Sequence, residues 1–180
     1  MTGRSIIGRD ARIRPIGAYD VALLAELHKT IFTAPWDRPW SAESLTQILA
    51  MPGARGWLLE SDSLPIGFVL ARFIMDEGEI LLTGILPAAR EQGHGARLMH
   101  TAITAAREAG IAKLFLEHAE LNSAAARLYQ RLGFVQIGRR PQYYSPHQSS
   151  ARRYDAATRM LDLSAKEPAA MARVDTRESK

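Results

Sequence analysis

The stretch that decides the fold runs over residues 79–134, and its centre is Arg90-Glu91-Gln92-Gly93-His94-Gly95. Before this hexad stands Ile80-Leu81-Leu82-Thr83-Gly84-Ile85-Leu86, an apolar run of strand length bounded by Pro87. After it, Leu98, Met99, Ala102, Ile103, Ala106 and Ala109 recur at helical spacing, and Gly110 stands where a helix would stop. The order is strand, glycine-bearing turn, helix. A helix entered in this way turns unpaired backbone N–H groups out of its first turn, with the positive end of the dipole behind them. Glycines at 93 and 95 carry no Cβ, so a phosphate can come close to those amides. The pattern predicts an anion cradle with a pyrophosphate as its expected anion. The alternative is a tight turn that merely holds two glycines.

The residues after the cradle narrow the choice. Residues 113–117 read as a second strand, Leu121-Asn122 as a helix start, and residues 124–132 as a helix closed by Gly133-Phe134. Here the sequence resembles the GNAT superfamily of acetyl-coenzyme A dependent N-acetyltransferases. The pyrophosphate motif of that superfamily, [Gln/Arg]-x-x-Gly-x-[Gly/Ala], is met by Arg90, Gly93 and Gly95. The phrases Leu116-Glu117-His118, Asn122-Ser123-Ala124-Ala125-Ala126, Leu128-Tyr129 and Leu132-Gly133-Phe134 resemble one branch of it, which acetylates the amino-terminal alanine of a small-subunit ribosomal protein. The resemblance covers residues 12–163 and is most specific over 79–144.

It implies a mixed α/β fold: a mainly antiparallel central sheet with a splayed parallel strand pair and flanking helices. It also implies acetyl-coenzyme A as co-substrate and assigns the site residue by residue. Backbone groups of Thr83, Gly84 and Ile85 bind the pantetheine arm and polarise the thioester carbonyl. The pyrophosphate falls to Arg90, Glu91, Gln92, Gly93, His94, Gly95 and Ala96, and Asn122 touches the coenzyme from the other side. Glu117 is the general base, directly or through a water, and Tyr129 the general acid toward the coenzyme sulfur. The alternatives are a strand-end surface carboxylate and a core tyrosine. Three positions depart from the family pattern: Thr83-Gly84-Ile85 replaces an Ile-Ala-Val type of run, Ala96 stands where a basic residue is common, and Arg159 where methionine is usual.

The whole chain is consistent with one domain. Its 180 residues are enough to bury a core, and 47% hydrophobic with 23% charged residues are ordinary globular values. The expected division is a flexible segment at 1–11, the catalytic domain at 12–163 and a tail at 164–180. No apolar run approaches the ~18 residues of a spanning helix, so no membrane partner is expected. The first fourteen residues hold Arg4, Arg9, Arg12 and Arg14 but no apolar segment long enough for a secretory signal. The absence of cysteine excludes disulfides, thiolate metal sites and a cysteine nucleophile, and fits a cytoplasmic protein. The five histidines show no metal-ligand spacing, so no metal is expected. The net charge of +4, with Arg139-Arg140 and Arg152-Arg153 paired, suits coenzyme phosphates or a ribosome-like surface, or else a solvated face. No basic stripe interleaved with aromatics argues for nucleic acid.

In order, residues 12–16 read as a short strand, Asp20 as the N-cap of a helix through Ile31, and Ser41 as the cap of another through Leu49. Between them the proline-bearing loop presents Trp36 and Trp40, which either line a substrate groove or form a lid over the two helices. Residues 56–60, 65–75 and 79–86 read as an antiparallel meander. Residues 135–139 read as a strand, 141–147 as a loop, and 156–163 as the last strand.

The expected acceptor is a protein amino terminus, specifically that of a small-subunit ribosomal protein. A terminal amine with a pKa of ~7.7–8.0 has a substantial neutral fraction near pH ~7.4, whereas a lysine near ~10.4 is neutral only to about one part in a thousand, so a carboxylate base has less to do for the former. A small-molecule amine or lysine acetyltransferase on the same fold, and a non-catalytic acyl-coenzyme A binding module, are the alternatives. The presence of both Glu117 and Tyr129 argues against the last.

Overall fold

Two adjacent leucines, Leu58 and Leu59, are both fully buried, and so are Phe68, Val69, Leu70 and Ala71. Successive strand residues point to opposite faces, so strands with such runs must be covered on both sides. The computed structural model shows that arrangement; it describes residues 11–37, 40–144 and 153–164. The expected segment at 1–11 (apart from Ala11), Arg38-Pro39, the loop's end at 145–147, Arg152 and the tail beyond Ser164 lie outside the described residues.

Seven strands form one sheet in the order β1-β2-β3-β4-β5-β7-β6. They are β1 (Ala11–Pro15), β2 (Ala54–Ser61), β3 (Leu64–Ile74), β4 (Glu77–Ile85), β5 (Lys113–Ala119), β6 (Val135–Tyr144) and β7 (Tyr154–Asp162). Every neighbouring pair is antiparallel except β4 with β5, which is parallel because a helix connects them. The helices are α1 (Val21–Ile31), α2 (Ala42–Leu49), α3 (His94–Glu108) and α4 (Ser123–Arg131). The mixed fold and the meander are as the sequence leads one to expect.

The two faces carry separate cores. On one, Leu24, Leu27 and Ile31 of α1 and Leu45 of α2 meet Leu58, Phe68 and Leu70 of the sheet. On the other, Leu98, Met99, Ala102 and Ile103 of α3 meet Leu59, Val69, Ala71, Leu114 and Leu116, with Tyr129 and Phe134 in the same cluster. Each large side chain removed from water in this way contributes ~1.5–3 kcal/mol, so the flanking helices are held chiefly by these faces.

Three local readings are corrected. Asp20 does not cap α1 through its side chain. A 3₁₀ turn at Ala18–Asp20 leads into the helix, and the Asp20 carboxylate accepts from Gly17 N at 2.8 Å and pairs with Arg14 at 2.8 Å. The nearby cation holds the Asp20 carboxyl below its ordinary range. Strand β5 runs two residues past Glu117, to Ala119, because β7 pairs along its full length. Strand β6 continues through Pro141 to Tyr144, where the sequence predicts a loop. It is the edge strand, so the missing proline N–H costs no ladder bond, and the register slips between Arg140 and Tyr144.

Candidate active site

The site begins where the parallel pair ends. Strand β4 runs alongside β5 only from Glu77↔Lys113 to Ile80↔Leu116. Beyond that point β4 stays with β3 and β5 stays with β7, so a gap opens in the sheet. The cause is local. Leu70 faces Leu82 and Ala71 faces Ile80, which leaves Leu81 as an extra residue in β4. A bulge of this kind bends its strand and breaks the pairing beside it.

One wall of the gap is the end of β4. Leu86 N donates to Ile66 O at 2.8 Å, so by antiparallel alternation Gly84 and Leu86 direct their backbone groups toward β3. Thr83 and Ile85 direct theirs into the gap. Gly84 is glycine for a different reason: a Cβ there would lie 2.5 Å from Ile31 Cγ2 and 3.1 Å from the Phe32 ring. The replacement of the usual apolar run at this position thus seats the end of α1.

The cradle comes next along the chain. Gly93, with φ of 81°, is the N-cap of α3, a conformation that L side chains adopt at a cost. Arg97 N donates to Gly93 O at 3.1 Å, so the amides of His94, Gly95 and Ala96 precede the first helical bond. A Cβ at Gly93 would meet nothing within 4 Å, and one at Gly95 would come within 3.4 Å of Leu128. Open space in front of free amides at a positive helix end suits a diphosphate. Arg90 is engaged elsewhere: Nε donates to Ile85 O at 3.0 Å and Nη2 to Ile31 O at 3.1 Å. Its guanidinium ties the end of β4 to the end of α1. His94 is buried, with both ring nitrogens lacking a partner among the described residues, and burial holds it below the ordinary histidine range. Glu91 and Gln92 are exposed. The residues present therefore fit acetyl-coenzyme A through backbone groups of 83, 85 and 94–96 rather than through a charged side chain.

The other wall is built from side chains. Glu117, one residue past the last β4–β5 pair, points away from the α3 face because Leu116 and His118 point into it. Arg140 Nη1 holds both carboxylate oxygens, at 3.1 and 3.2 Å, and Thr158 Oγ1 donates to Oε1 at 3.1 Å. Tyr129, on α4, packs on the α3 side of the same strand, its ring 5.6 Å from His118 and 5.9 Å from Phe134. Burial pushes its phenol pKa up, so it remains a proton donor at neutral pH. Asn122 caps α4, its Oδ1 accepting from Ala125 N at 3.1 Å.

Several residues here carry no signal in the sequence. Tyr144 has its pKa raised by burial, and then by the charge of Glu117, with Tyr143, Tyr129 and Asp37 also acting on it. Asp37 is half-buried, its carboxyl pushed up by burial while it accepts from Ala34 N at 2.8 Å. Beside it, Trp36 packs edge-on against Tyr154 of β7 at 5.8 Å, whereas Trp40 stacks on His28 over α1 at 6.0 Å. Of the two, Trp40 packs on the α1–α2 cluster as a lid would. Arg139 pairs with Glu120 and Asp155, and Arg140 with Glu117, so neither is a free cation. Among the described residues no cluster of histidine or carboxylate could hold a metal.

A split parallel pair with a helix-end cradle on one side and ionisable groups on the other defines a coenzyme-dependent acyl-transfer site. The model of the GNAT acetyltransferase family matches residues 21–134, and the chain belongs to that family. It is an N-acetyltransferase that uses acetyl-coenzyme A as co-substrate. No curated protein matches the chain by sequence. Among solved structures, it is similar to the ribosomal-protein-S18-alanine N-acetyltransferase of Escherichia coli, at 23% identity and a TM-score of 0.78, covering 87% of this chain and 96% of that one. Arabidopsis thaliana NAA60 bound to a bisubstrate analogue is similar at 20% identity and a TM-score of 0.71, over 85% and 98% of the two chains. The putative acetyltransferase yncA of Salmonella typhimurium, with acetyl-coenzyme A, is similar at 23% and 0.70, over 89% and 96%.

Proposed function

We propose that the chain acetylates a protein amino terminus, with a small-subunit ribosomal protein that begins with a free alanine as the specific substrate and the cytoplasm as the compartment. The observation that supports this most is the placement of Glu117 at the first position beyond the last β4–β5 pair, with Tyr129 packed against the next strand residue, His118. Acetyl-coenzyme A supplies the activated acyl group. Backbone amides of His94, Gly95 and Ala96 hold its diphosphate, and the gap-facing backbone of Thr83 and Ile85 receives the arm that carries the thioester.

On the other wall, Glu117 takes a proton from the acceptor ammonium, directly or through a water. Arg140 and Thr158 fix the carboxylate's orientation, and its oxygens keep lone pairs for that proton. The neutral amine attacks the carbonyl carbon. As the C–S bond breaks, the Tyr129 hydroxyl gives its proton to the sulfur, which leaves as the thiol. A terminal amine suits this arrangement because it is half neutral at its pKa of ~7.7–8.0, leaving a carboxylate held by a cation with little to remove. Trp36, packed edge-on against Tyr154, and Tyr144, paired with Tyr154 across β6 and β7, would offer aromatic edges to an extended backbone.

The test is acetylation of a peptide that begins with free alanine, beside the same peptide with a blocked terminus and an internal lysine. The reading predicts transfer to the terminal amine and a far slower reaction at lysine. Equal rates, or transfer to polyamines or aminoglycosides alone, would move the acceptor to the small-molecule class.

A further inference from the structure

Arg159 lies on β7 opposite Leu116, on the face that carries the α3 core, where a cation has to find acceptors. Its Nε donates to His118 Nε2 at 2.9 Å, and its Nη1 makes a longer contact of 3.5 Å with Phe134 O. His118 Nδ1 lies 2.9 Å from Ala119 O, which can only accept. The proton therefore sits on Nδ1, Nε2 keeps its lone pair for Arg159, and the imidazole is neutral in a single tautomer. Burial supports this by pulling the His118 pKa down.

The two residues that Arg159 holds are the two whose rings flank Tyr129. The His118 ring stands 5.6 Å from it on one side and the Phe134 ring 5.9 Å on another. Phe134 N also donates to Tyr129 O at 3.0 Å, which closes the last turn of α4 onto the same group. One guanidinium thus fixes both partners of a tyrosine that is only 6% exposed.

We propose that Arg159 is a positioning residue for Tyr129, clamping His118 and Phe134 so that the tyrosine hydroxyl stays aimed at the departing sulfur. The proposal rests on the reading of Tyr129 as proton donor. In that step the amine nitrogen forms the C–N bond, the C–S bond breaks with its electron pair going to sulfur, and the Tyr129 proton moves to that sulfur. The phenolate left behind regains a proton from solvent, which receives the one taken from the ammonium. The fixed charge of Arg159 favours the transient phenolate, opposing the effect of burial on Tyr129.

The test is a double-mutant cycle of Arg159→Met and Tyr129→Phe. It reads kcat at saturating acetyl-coenzyme A and acceptor (the alanine peptide, or the amine that the acceptor assay selects), acetyl-coenzyme A affinity, and thermal unfolding. Methionine is usual at this position in the family, so the variant has a fitting side chain. Arg159→Met is expected to lower kcat about tenfold, as a small misplacement of a reacting group does, with affinity within about twofold of the parent. In the Tyr129→Phe background it is expected to lower kcat no further. Equal losses in both backgrounds, or none in the parent, overturn the positioning role alone. Tyr129→Phe with parental turnover removes the proton donor itself, and the proposal with it. Should Arg159→Met fail to fold, His118→Phe keeps a ring against Tyr129 and removes the Arg159 acceptor. It is expected to give the same loss, and full turnover in that variant overturns the clamp.

Discussion

The two walls of the gap are built on different principles. The β4 wall acts through backbone: a bulge at Leu81, gap-facing groups of Thr83 and Ile85, and first-turn amides beyond Gly93. Its one arginine, Arg90, holds main-chain carbonyls. The β5 wall acts through side chains that are already bonded to one another, Glu117 with Arg140 and Thr158, and Tyr129 against His118 and Phe134. A backbone site fails when a Cβ appears where none fits. A side-chain site fails when one polar atom is removed. The two walls should therefore respond to different substitutions and in different kinetic constants.

The largest expected effect is on the side-chain wall. Tyr129→Phe keeps the ring between His118 and Phe134 and should lower kcat by ~10²–10⁴, the usual worth of a positioned proton donor. On the backbone wall, Gly93→Val forces a branched residue to φ of 81° and fills the space before the amides. It should weaken acetyl-coenzyme A binding by about tenfold or more, which is ~1.4 kcal/mol. Gly110→Val supplies the control, because Gly110 has φ of 77° and equally open surroundings but no place in the site. It should lose comparable stability and keep full affinity; loss of affinity in both would reduce the Gly93 effect to backbone strain.

Glu117→Gln should cost about tenfold in turnover near pH 6.5, with the deficit narrowing above pH ~8 as the acceptor amine becomes neutral unaided. A pH-independent deficit would assign Glu117 to binding. His28 tests the packing that α1 brings to the β4 wall. Burial pulls its pKa to about 4. Between the ordinary 6.5 and that value the unfolded chain binds a proton that the fold refuses, so stability falls as pH drops through this window, by up to ~1.4 kcal/mol per unit. His28→Phe should flatten that share of the pH dependence in denaturant midpoints. Smallest are the helix caps. Ser41→Ala and Asn122→Ala each remove an acceptor from a first-turn amide and should cost ~0.5–2 kcal/mol. If Asn122 also touches the coenzyme, only its variant changes acetyl-coenzyme A affinity.

The same division separates the legible parts of the sequence from the hidden ones. The cradle was legible because strand, glycines and helix are consecutive, and the periodicity of α3 and α4 is local. The splay was legible only through the family resemblance, since nothing around Leu81 itself marks an extra residue until β3 and β5 compete for the strand. Glu117 and Tyr129 stood out as a carboxylate on an apolar strand and a tyrosine on the next helix. Their partners did not, because Arg140 lies 23 residues and Thr158 41 residues from Glu117, and only strand register brings them together. Tyr144 was hidden for a related reason: Pro141 ends most strands, yet an edge strand tolerates it. Asp20 looked like a cap until Arg14, six residues earlier, claimed its carboxylate.

The most direct test of the two-wall account is the affinity of Tyr129→Phe for acetyl-coenzyme A, measured by titration calorimetry on the folded variant. The account predicts a dissociation constant within about twofold of the parent, since the diphosphate and the arm are held by backbone on the opposite wall. A loss of about tenfold or more, with turnover at saturation preserved, would contradict it and make Tyr129 a binding residue.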